Sequence, residues 1–423
     1  MGEATMKRAV YVNCDGLCTD WISPERTPVL AALSAKGVRC AEHRAVFPSV
    51  TRASAASVAT GCRPIRHGLH GNRMGLIEDG RLVVRDVGPP DFRGHMRKAL
   101  GRTLRVPTMA QRVAKHGGFV AYSNVSPGAA YFLDPDEHGE VRHRAGSNAP
   151  AGKTVPALPI KGGLDGDVAM AGLFCQEVLR DNPRAISVLW FGDPDLTMHN
   201  APIGSPAHMA ALKRIDALVG DIAATIDAER AKGEDILLMV GSDHGHETVG
   251  YGINVAGWLD ENGFGKLREA GQLAFATQGT AALLYAIGDG EAAVPDALAK
   301  LKAAPWVEGI ATGAELEKLG IMPEGGLVAG ISLARNPAPN DYGVAGQRWA
   351  SFNGPEFKGI GYGQHGGWGP DETRPFLIVS HPECAPARRT ERTSLVDIAP
   401  TALAFLGLPT EGMDGQAIAW RRQ

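Results

Sequence analysis

Five stretches of this 423-residue chain carry side chains that bind divalent metal or hold an activated oxygen. Asp15 follows the apolar run Val10-Tyr-Val-Asn-Cys14, and Thr51 ends Phe47-Pro-Ser-Val-Thr51 at the head of a small-residue segment. Asp195 and His199 stand four apart, Asp243 and His244 adjoin in Ser242-Asp-His-Gly-His246, and His365 lies in the glycine-rich Gly361-Tyr-Gly-Gln-His365-Gly-Gly. Carboxylates and imidazoles are the usual protein ligands of zinc-like ions. A hydroxyl beside such an ion becomes a nucleophile, because the positive charge lowers its pKa. These residues could therefore hold two divalent ions around the Thr51 hydroxyl. The chemistry this suits is phosphoryl transfer, in which the attacking, leaving and equatorial oxygens all need positive charge at once.

Each stretch also has a plainer reading. An Asp at a strand end is often a turn residue or a helix cap, and Thr51 could be only the cap of the helix that runs to Thr60-Gly61. If that helix exists, its amino end favours an anion, through unpaired N–H groups and the dipole. Asp193 competes with Asp195, but a spacing of four to His199 suits one helical turn and a spacing of six does not. His246 reads as a ligand, a support behind the ligands or a solvated loop residue, the last two together being preferred. His365 taken alone is an ordinary loop residue.

The elements that must position these residues follow from the apolar pattern. Segments 9–14, 118–122, 186–191, 236–240 and 376–379 are short and almost continuously apolar, the signature of parallel strands buried on both faces. A long helix starts at Ser205-Pro206, carries Met209, Leu212, Ile215, Leu218, Val219, Ile222 and Ile226 on one face and stops at Gly233. This alternation predicts an α/β fold with a doubly wound, mostly parallel sheet and a site at the carboxyl ends of its strands. Segments 73–105 and 140–165, rich in Gly, Pro and charge, are expected to be long surface loops near the site. A β-α-β pattern through 280–285, 292–302, 309–312 and 327–333 suggests an insertion. The expected division is a catalytic core of 1–272 and 356–423 with a lid subdomain at 273–355.

The composition is that of an ordinary globular chain, 44% hydrophobic with 43 basic and 46 acidic residues. It offers no overall field to attract a nucleic-acid polymer and no apolar run long enough for a membrane span. Six cysteines without a CxxC pair fit a reducing compartment. With no signal peptide at the start of the chain, the expected location is the cytoplasm.

Taken in order, the motifs resemble the alkaline phosphatase superfamily, and within it the nucleotide pyrophosphatase/phosphodiesterase branch with its phosphonoacetate hydrolase relatives. The matching residues are Asp15, Phe47-Pro-Ser-Val-Thr51, Thr60-Gly61, Pro64, His67-Gly68, Asn72, Asp195-x-x-x-His199, Ser242-Asp243-His244-Gly245 and His365-Gly366, with a final helix near Leu395 to Pro409. The resemblance implies that Asp15, Thr51, Asp243 and His244 hold one ion, and Asp195, His199 and His365 the other. The ions would be zinc, with manganese the alternative. It further implies that Thr51 becomes a phosphoryl-threonine and that Asn72 steadies the transferring group. The implied substrate is a small phosphate ester or a phosphonate. A phosphodiester or nucleotide pyrophosphate comes first, phosphonoacetate or a monoester second, and a phosphomutase or a non-catalytic metal protein last. No lysine pair suited to the phosphonoacetate carboxylate is evident. Cys62-Arg-Pro64-Ile-Arg66 fits the minimal CxPxR signature of sulfatases, but it follows the helix stop at Gly61, where a nucleophile does not belong.

Overall fold

The segment Arg8–Cys14 is buried at all seven positions, as a strand covered on both faces must be. The computed structural model, which describes residues 7–150, 153 and 155–421, places it inside an eight-stranded sheet. From edge to edge the strands run Ala387–Ser394, Val38–Arg44, Leu377–Ser380, Ile236–Gly241, Arg8–Cys14, Ile186–Phe191, Phe119–Ser123 and Glu140–His143. Arg8–Cys14 pairs in parallel with both Ile186–Phe191 and Ile236–Gly241. Three carboxyl ends therefore open side by side, just before Asp15, Asp195 and Asp243. The fold is the doubly wound α/β architecture expected from the pattern.

Helices close both faces of the sheet. Pro206–Ala231 is one continuous helix whose Ser205 hydroxyl accepts the His208 N–H at 3.3 Å. Its Leu212, Ile215, Leu218, Val219, Ile222 and Ile226 are buried in one cluster with strand residues such as Val10, Val12 and Leu189. Burying each such side chain stabilises the fold by about 1.5–3 kcal/mol relative to leaving it exposed.

Three expectations need correction. Leu377–Ser380 is antiparallel to both of its neighbours, not parallel. Continuous apolar character reports burial of both faces and carries no information about strand direction. Segment 73–105 is not a loop, because Arg73–Glu78 and Arg81–Asp86 form a hairpin and Phe92–Leu100 a helix. The hairpin turns at Asp79-Gly80, both with positive φ (50° and 78°), the dipeptide turn whose twist matches the strands. In 140–165, Glu140–His143 is the edge strand of the main sheet.

Between residues 273 and 352 the chain builds two further sheets. Leu273–Thr277, Ala281–Ala286, Leu327–Leu333 and Val307–Thr312 form a four-stranded antiparallel sheet with a core of its own around Trp258, Phe275, Leu284 and Ile331. Within it Ala281–Ala286, the helix Asp289–Ala303 and Val307–Thr312 make the expected β-α-β pattern, with Leu327–Leu333 inserted between the two strands. Ala345–Phe352 pairs in parallel with Glu247–Asn254, the strand that follows the Asp243-His244-Gly-His246 turn. No helix among the described residues is long and apolar enough to cross a membrane.

Candidate active site

Thr51 is the first residue of the helix Thr51–Thr60, and Val50, which has no side-chain oxygen, occupies the cap position. The Thr51 hydroxyl is thus free of capping duty, and its Oγ1 lies 3.1 Å from His244 Nε2. That nitrogen is also 3.2 Å from Asp243 Oδ2 and 3.4 Å from Asp15 Oδ1. Asp15 follows the central strand, and Trp190 Nε1–H, donated from the next strand at 2.8 Å, holds its second oxygen. Asp243 accepts from Asn13 Nδ2 and Gly16 N, both at 3.3 Å. Two loops at adjacent strand ends thus gather Asp15, Asp243 and His244, with His244 against the Thr51 hydroxyl.

Asp195 opens a single helical turn, Asp195–Met198, and its Oδ1 collects imidazoles. His246 Nε2 is 2.7 Å away, His199 Nε2 3.3 Å and His365 Nε2 3.5 Å. Asp193 takes a different part: its Oδ1 accepts the Thr197 N–H at 3.0 Å and fixes that turn. The ligand-type atoms of Asp195, His244, His246 and His365 lie within 4.8 Å of one another, as do those of Asp15, Asp243 and His244. His199 stands just outside the tight group, against Asp195 and the His365 ring.

The imidazoles face inward in a form ready to bind a cation. His199 Nδ1 is 3.1 Å from Gly363 O, His244 Nδ1 3.1 Å from Gly245 O and His365 Nδ1 2.8 Å from Ser49 O. A proton on Nδ1 satisfies each carbonyl and leaves each Nε2 with a lone pair, the outer-shell arrangement typical of metal-bound histidine. The His244 and His365 rings stack with centroids 3.6 Å apart, a contact that two imidazolium cations would not tolerate. Burial holds His244 down to about 3 and pushes His365 well below the ordinary range as well, with His244 adding to it. For the carboxylates, burial and then the Asp195 charge raise Asp243 to about 7. Burial, then Asp243 and Asp195, raise Asp15 well above the usual range. Burial acts upward on Asp195 too, but His199 and His246 outweigh it and hold its carboxyl well below the usual range. Asp15 Oδ1 and Asp243 Oδ2 are buried without a hydrogen-bond donor. His199 differs from the other rings, because burial acts downward on it but is outweighed by the Asp195 charge, which raises it, whereas burial lowers His246 as it does His244 and His365. Paired buried carboxylates with orphaned oxygens, ringed by imidazoles, fit divalent cations.

Two glycines let the loops come this close. A Cβ on Gly245 would meet Asp371 O at 2.1 Å, and one on Gly366 (φ +133°) would meet Gln278 O at 1.6 Å. The loop that follows His365 is pinned by Glu372, whose oxygens accept the N–H groups of Gly367 and Gly369 at 3.0 and 2.9 Å.

In front of these residues lies a cavity of about 310 Å³ lined by Asp15, Thr51, Asn72, Asp195, His199 and His365. Asn72 Oδ1 accepts the Arg52 N–H at 3.2 Å, which fixes the amide beside Thr51. No lining residue of this cavity comes from segment 273–355. That segment acts from behind, as Gln278 Oε1 accepts the Asn72 N–H at 2.8 Å. Cys62 lies past the far end of the Thr51–Thr60 helix, buried with its Sγ toward Gly412 O at 3.5 Å, and it takes no part in the cavity.

His246 is the residue that sequence reasoning undervalued. Its side chain is 1% exposed and grips Asp195, and its ring centroid lies 5.0 Å from that of His199 and 4.9 Å from that of His365. The signal was present: the bend at Gly245 lets residues 244 and 246 of one strand end face the same centre. His246→Ala is expected to weaken zinc binding about 10- to 100-fold, the usual effect of removing an outer-shell partner or a ligand. Competition with a chromophoric chelator measures it, and an unchanged affinity would reduce His246 to packing.

A family model described as type I phosphodiesterase / nucleotide pyrophosphatase matches residues 9–329. Murine ectonucleotide pyrophosphatase/phosphodiesterase 5, in an inactive variant in complex with AMP, is similar over 97% of both chains at 17% identity and a TM-score of 0.69. The same murine protein without that change gives 16% identity over 97% of both chains with a TM-score of 0.70. The human protein gives 15% identity over 97% of both chains with a TM-score of 0.68. At such identities the likeness concerns the fold. No curated protein sequence matches the chain.

Proposed function

We propose a reaction from one premise: the chain belongs to the type I phosphodiesterase / nucleotide pyrophosphatase family. The reading is hydrolysis of a phosphodiester or nucleotide pyrophosphate, with Thr51 as nucleophile and a phosphoryl-threonine as intermediate. The observation that carries it is the Thr51 hydroxyl, relieved of capping and aimed at His244 Nε2 at 3.1 Å.

Asp15, Thr51, Asp243 and His244 would hold one divalent ion, and Asp195, His199 and His365 a second, with His246 behind Asp195. The nitrogen-and-carboxylate donor set suits zinc, with manganese next. When bound, such ions lower the pKa of a neighbouring hydroxyl and offset charge on phosphoryl oxygens. The chain's own residues supply the rest. Thr51 gives up its proton and attacks phosphorus in line with the leaving oxygen, whose arm departs and takes up a proton. The phosphoryl-threonine keeps the other ester arm until water attacks it, restoring the hydroxyl and releasing the phosphomonoester. The helix that starts at Thr51 directs its amino-terminal N–H groups toward the transferring group. Asn72, oriented by the Arg52 N–H through its Oδ1, presents its Nδ2 donors to an equatorial oxygen. The murine neighbour was solved with AMP, which makes nucleotide esters the first substrates to try.

Zinc-loaded protein should hydrolyse bis-p-nitrophenyl phosphate and thymidine 5′-monophosphate p-nitrophenyl ester with kcat/KM at least about tenfold above that for p-nitrophenyl phosphate. A reversed order would favour a monoesterase. Turnover of phosphonoacetate alone would move the assignment to carbon–phosphorus cleavage.

A further inference from the structure

We infer that the physiological substrate carries a second anionic group, a carboxylate or a phosphate, held by Arg144 on the wall of the same cavity. This rests on the phosphohydrolase reading above.

Arg144 follows the edge strand Glu140–His143 and lines the cavity together with Thr51, Asn72 and Asp195. One terminal nitrogen, Nη1, is fully occupied: it donates to Asn124 O at 2.7 Å, Asn124 Oδ1 at 2.8 Å and Val125 O at 3.2 Å. Asn124 is fixed in turn, because its Nδ2 donates to Asp167 Oδ1 at 2.9 Å and Gly163 O at 3.1 Å. Anchored this way, the guanidinium keeps its Nε–Nη2 edge, and no carboxylate among the described residues lies within 4.0 Å of it. Asp167, the nearby acid, has both oxygens engaged by Gly192 N, Asp193 N and Asn124. Glycine at residue 162 leaves one face of the guanidinium uncovered. A Cβ there would stand 3.6 Å from Nε, 3.7 Å from Cζ and 3.8 Å from Nη2.

The other guanidinium of the cavity, Arg52, differs. It pairs with Asp86 at 2.8 Å and is braced by Asn72 O at 2.7 Å and Ser126 Oγ at 3.1 Å. Its charge is paired with a carboxylate in direct contact, whereas Arg144 has only the more distant Asp167. A half-buried arginine with a rigid stem, one spent nitrogen and one bare edge is built for a planar or tetrahedral oxyanion, which it meets in bidentate fashion. Under the proposed reading the transferring phosphoryl group would be met by the cations that the three Asp residues would hold, which leaves Arg144 for an anion on another part of the substrate.

The test uses three p-nitrophenyl phosphodiesters that differ only in the second ester arm, which ends in methyl, carboxylate or phosphate. The metal-loaded enzyme should prefer a charged arm over methyl in kcat/KM by roughly 10- to 100-fold, the worth of a charge-assisted hydrogen-bonded pair, and the better of the two charged arms identifies the anion. Arg144→Ala should erase that preference, mainly through KM, and Gly162→Glu, which places a carboxylate against the bare edge, should do the same without removing the arginine. Equal losses for all three esters in both variants would make Arg144 a structural brace and overturn the inference, as would a wild-type enzyme indifferent to the arm. If no ester turns over, the phosphodiesterase reading falls by itself. The anion site is then decided by calorimetry on zinc-loaded protein: phosphonoacetate should bind at least about tenfold tighter than methylphosphonate, and equal affinities would refute it.

Discussion

Thr51→Ala should abolish turnover, by about four orders of magnitude or more in kcat, while the protein folds and binds zinc nearly as before. The expectation follows from what the hydroxyl does and does not do in the fold. Thr51 is a helix N1 residue with its Oγ1 toward His244 rather than toward any helix N–H, so its loss uncaps nothing. The side chain is small and 8% exposed, and its truncation removes one methyl and one hydroxyl, about 1 kcal/mol of stability. Three of the four groups around that position, Asp15, Asp243 and His244, remain to hold a cation. Thr51→Ser keeps the nucleophilic oxygen and should keep most of the activity. With the two diesters above, rapid-quench mass spectrometry should find the phosphoryl group with its remaining ester arm, p-nitrophenyl phosphate or thymidylate, on residue 51 of the wild-type enzyme and none on the alanine variant. An alanine variant that turns over within tenfold of wild type would remove Thr51 from the chemistry and with it the intermediate.

The central sheet was legible because strands covered on both faces must be apolar at successive positions, and 9–14, 186–191 and 236–240 are. The same rule was blind to direction, so the antiparallel sense of Leu377–Ser380 was not foreseen: nothing in the apolar run 376–379 records the sense of the neighbours. The hairpin at 73–86 was missed although Asp79-Gly80 announces it, since the charged residues around it, Arg73, Glu78, Arg81 and Asp86, looked like a solvated loop rather than an exposed two-stranded ribbon. At the site, Asp195 was separable from Asp193 by helical spacing, and the structure gives Asp193 to Thr197 instead. His246 and Arg144 were not legible to the same degree. Their place depends on a bend at Gly245 and on the edge strand Glu140–His143 meeting the loop of residues 124–126, contacts between segments far apart in sequence.

Removing the metal should destabilise the protein more at pH 7.5 than at pH 5.5, and the gap between metal-loaded and chelated forms should widen over that range. Asp243 decides the sign. Burial and the Asp195 charge raise its carboxyl to about 7 in the metal-free fold, above the unfolded value of about 3.9. A group raised on folding contributes stability that is fully present below the unfolded pKa and is lost as pH rises through the folded one. The chelated protein therefore loses Asp243's contribution between about pH 4 and 7, and Asp15, raised by burial and by Asp243, follows the same direction. In the loaded protein a cation replaces those protons, and its binding strengthens with pH by about 1.4 kcal/mol per unit for each proton displaced, until the free site is itself deprotonated. Buried histidines such as His43, His67 and His208, held down to about 3 by burial, titrate alike in both forms and cancel in the difference. At a thousandfold excess of zinc over its Kd each ion adds about 4 kcal/mol, so the gap in Tm is readily measured. Thermal melts with zinc and with chelator from pH 5.5 to 8 give the gap, and calorimetry in buffers of different ionisation heat counts the protons released. A gap that stays flat or narrows as pH rises would mean that Asp15 and Asp243 do not face a bound cation.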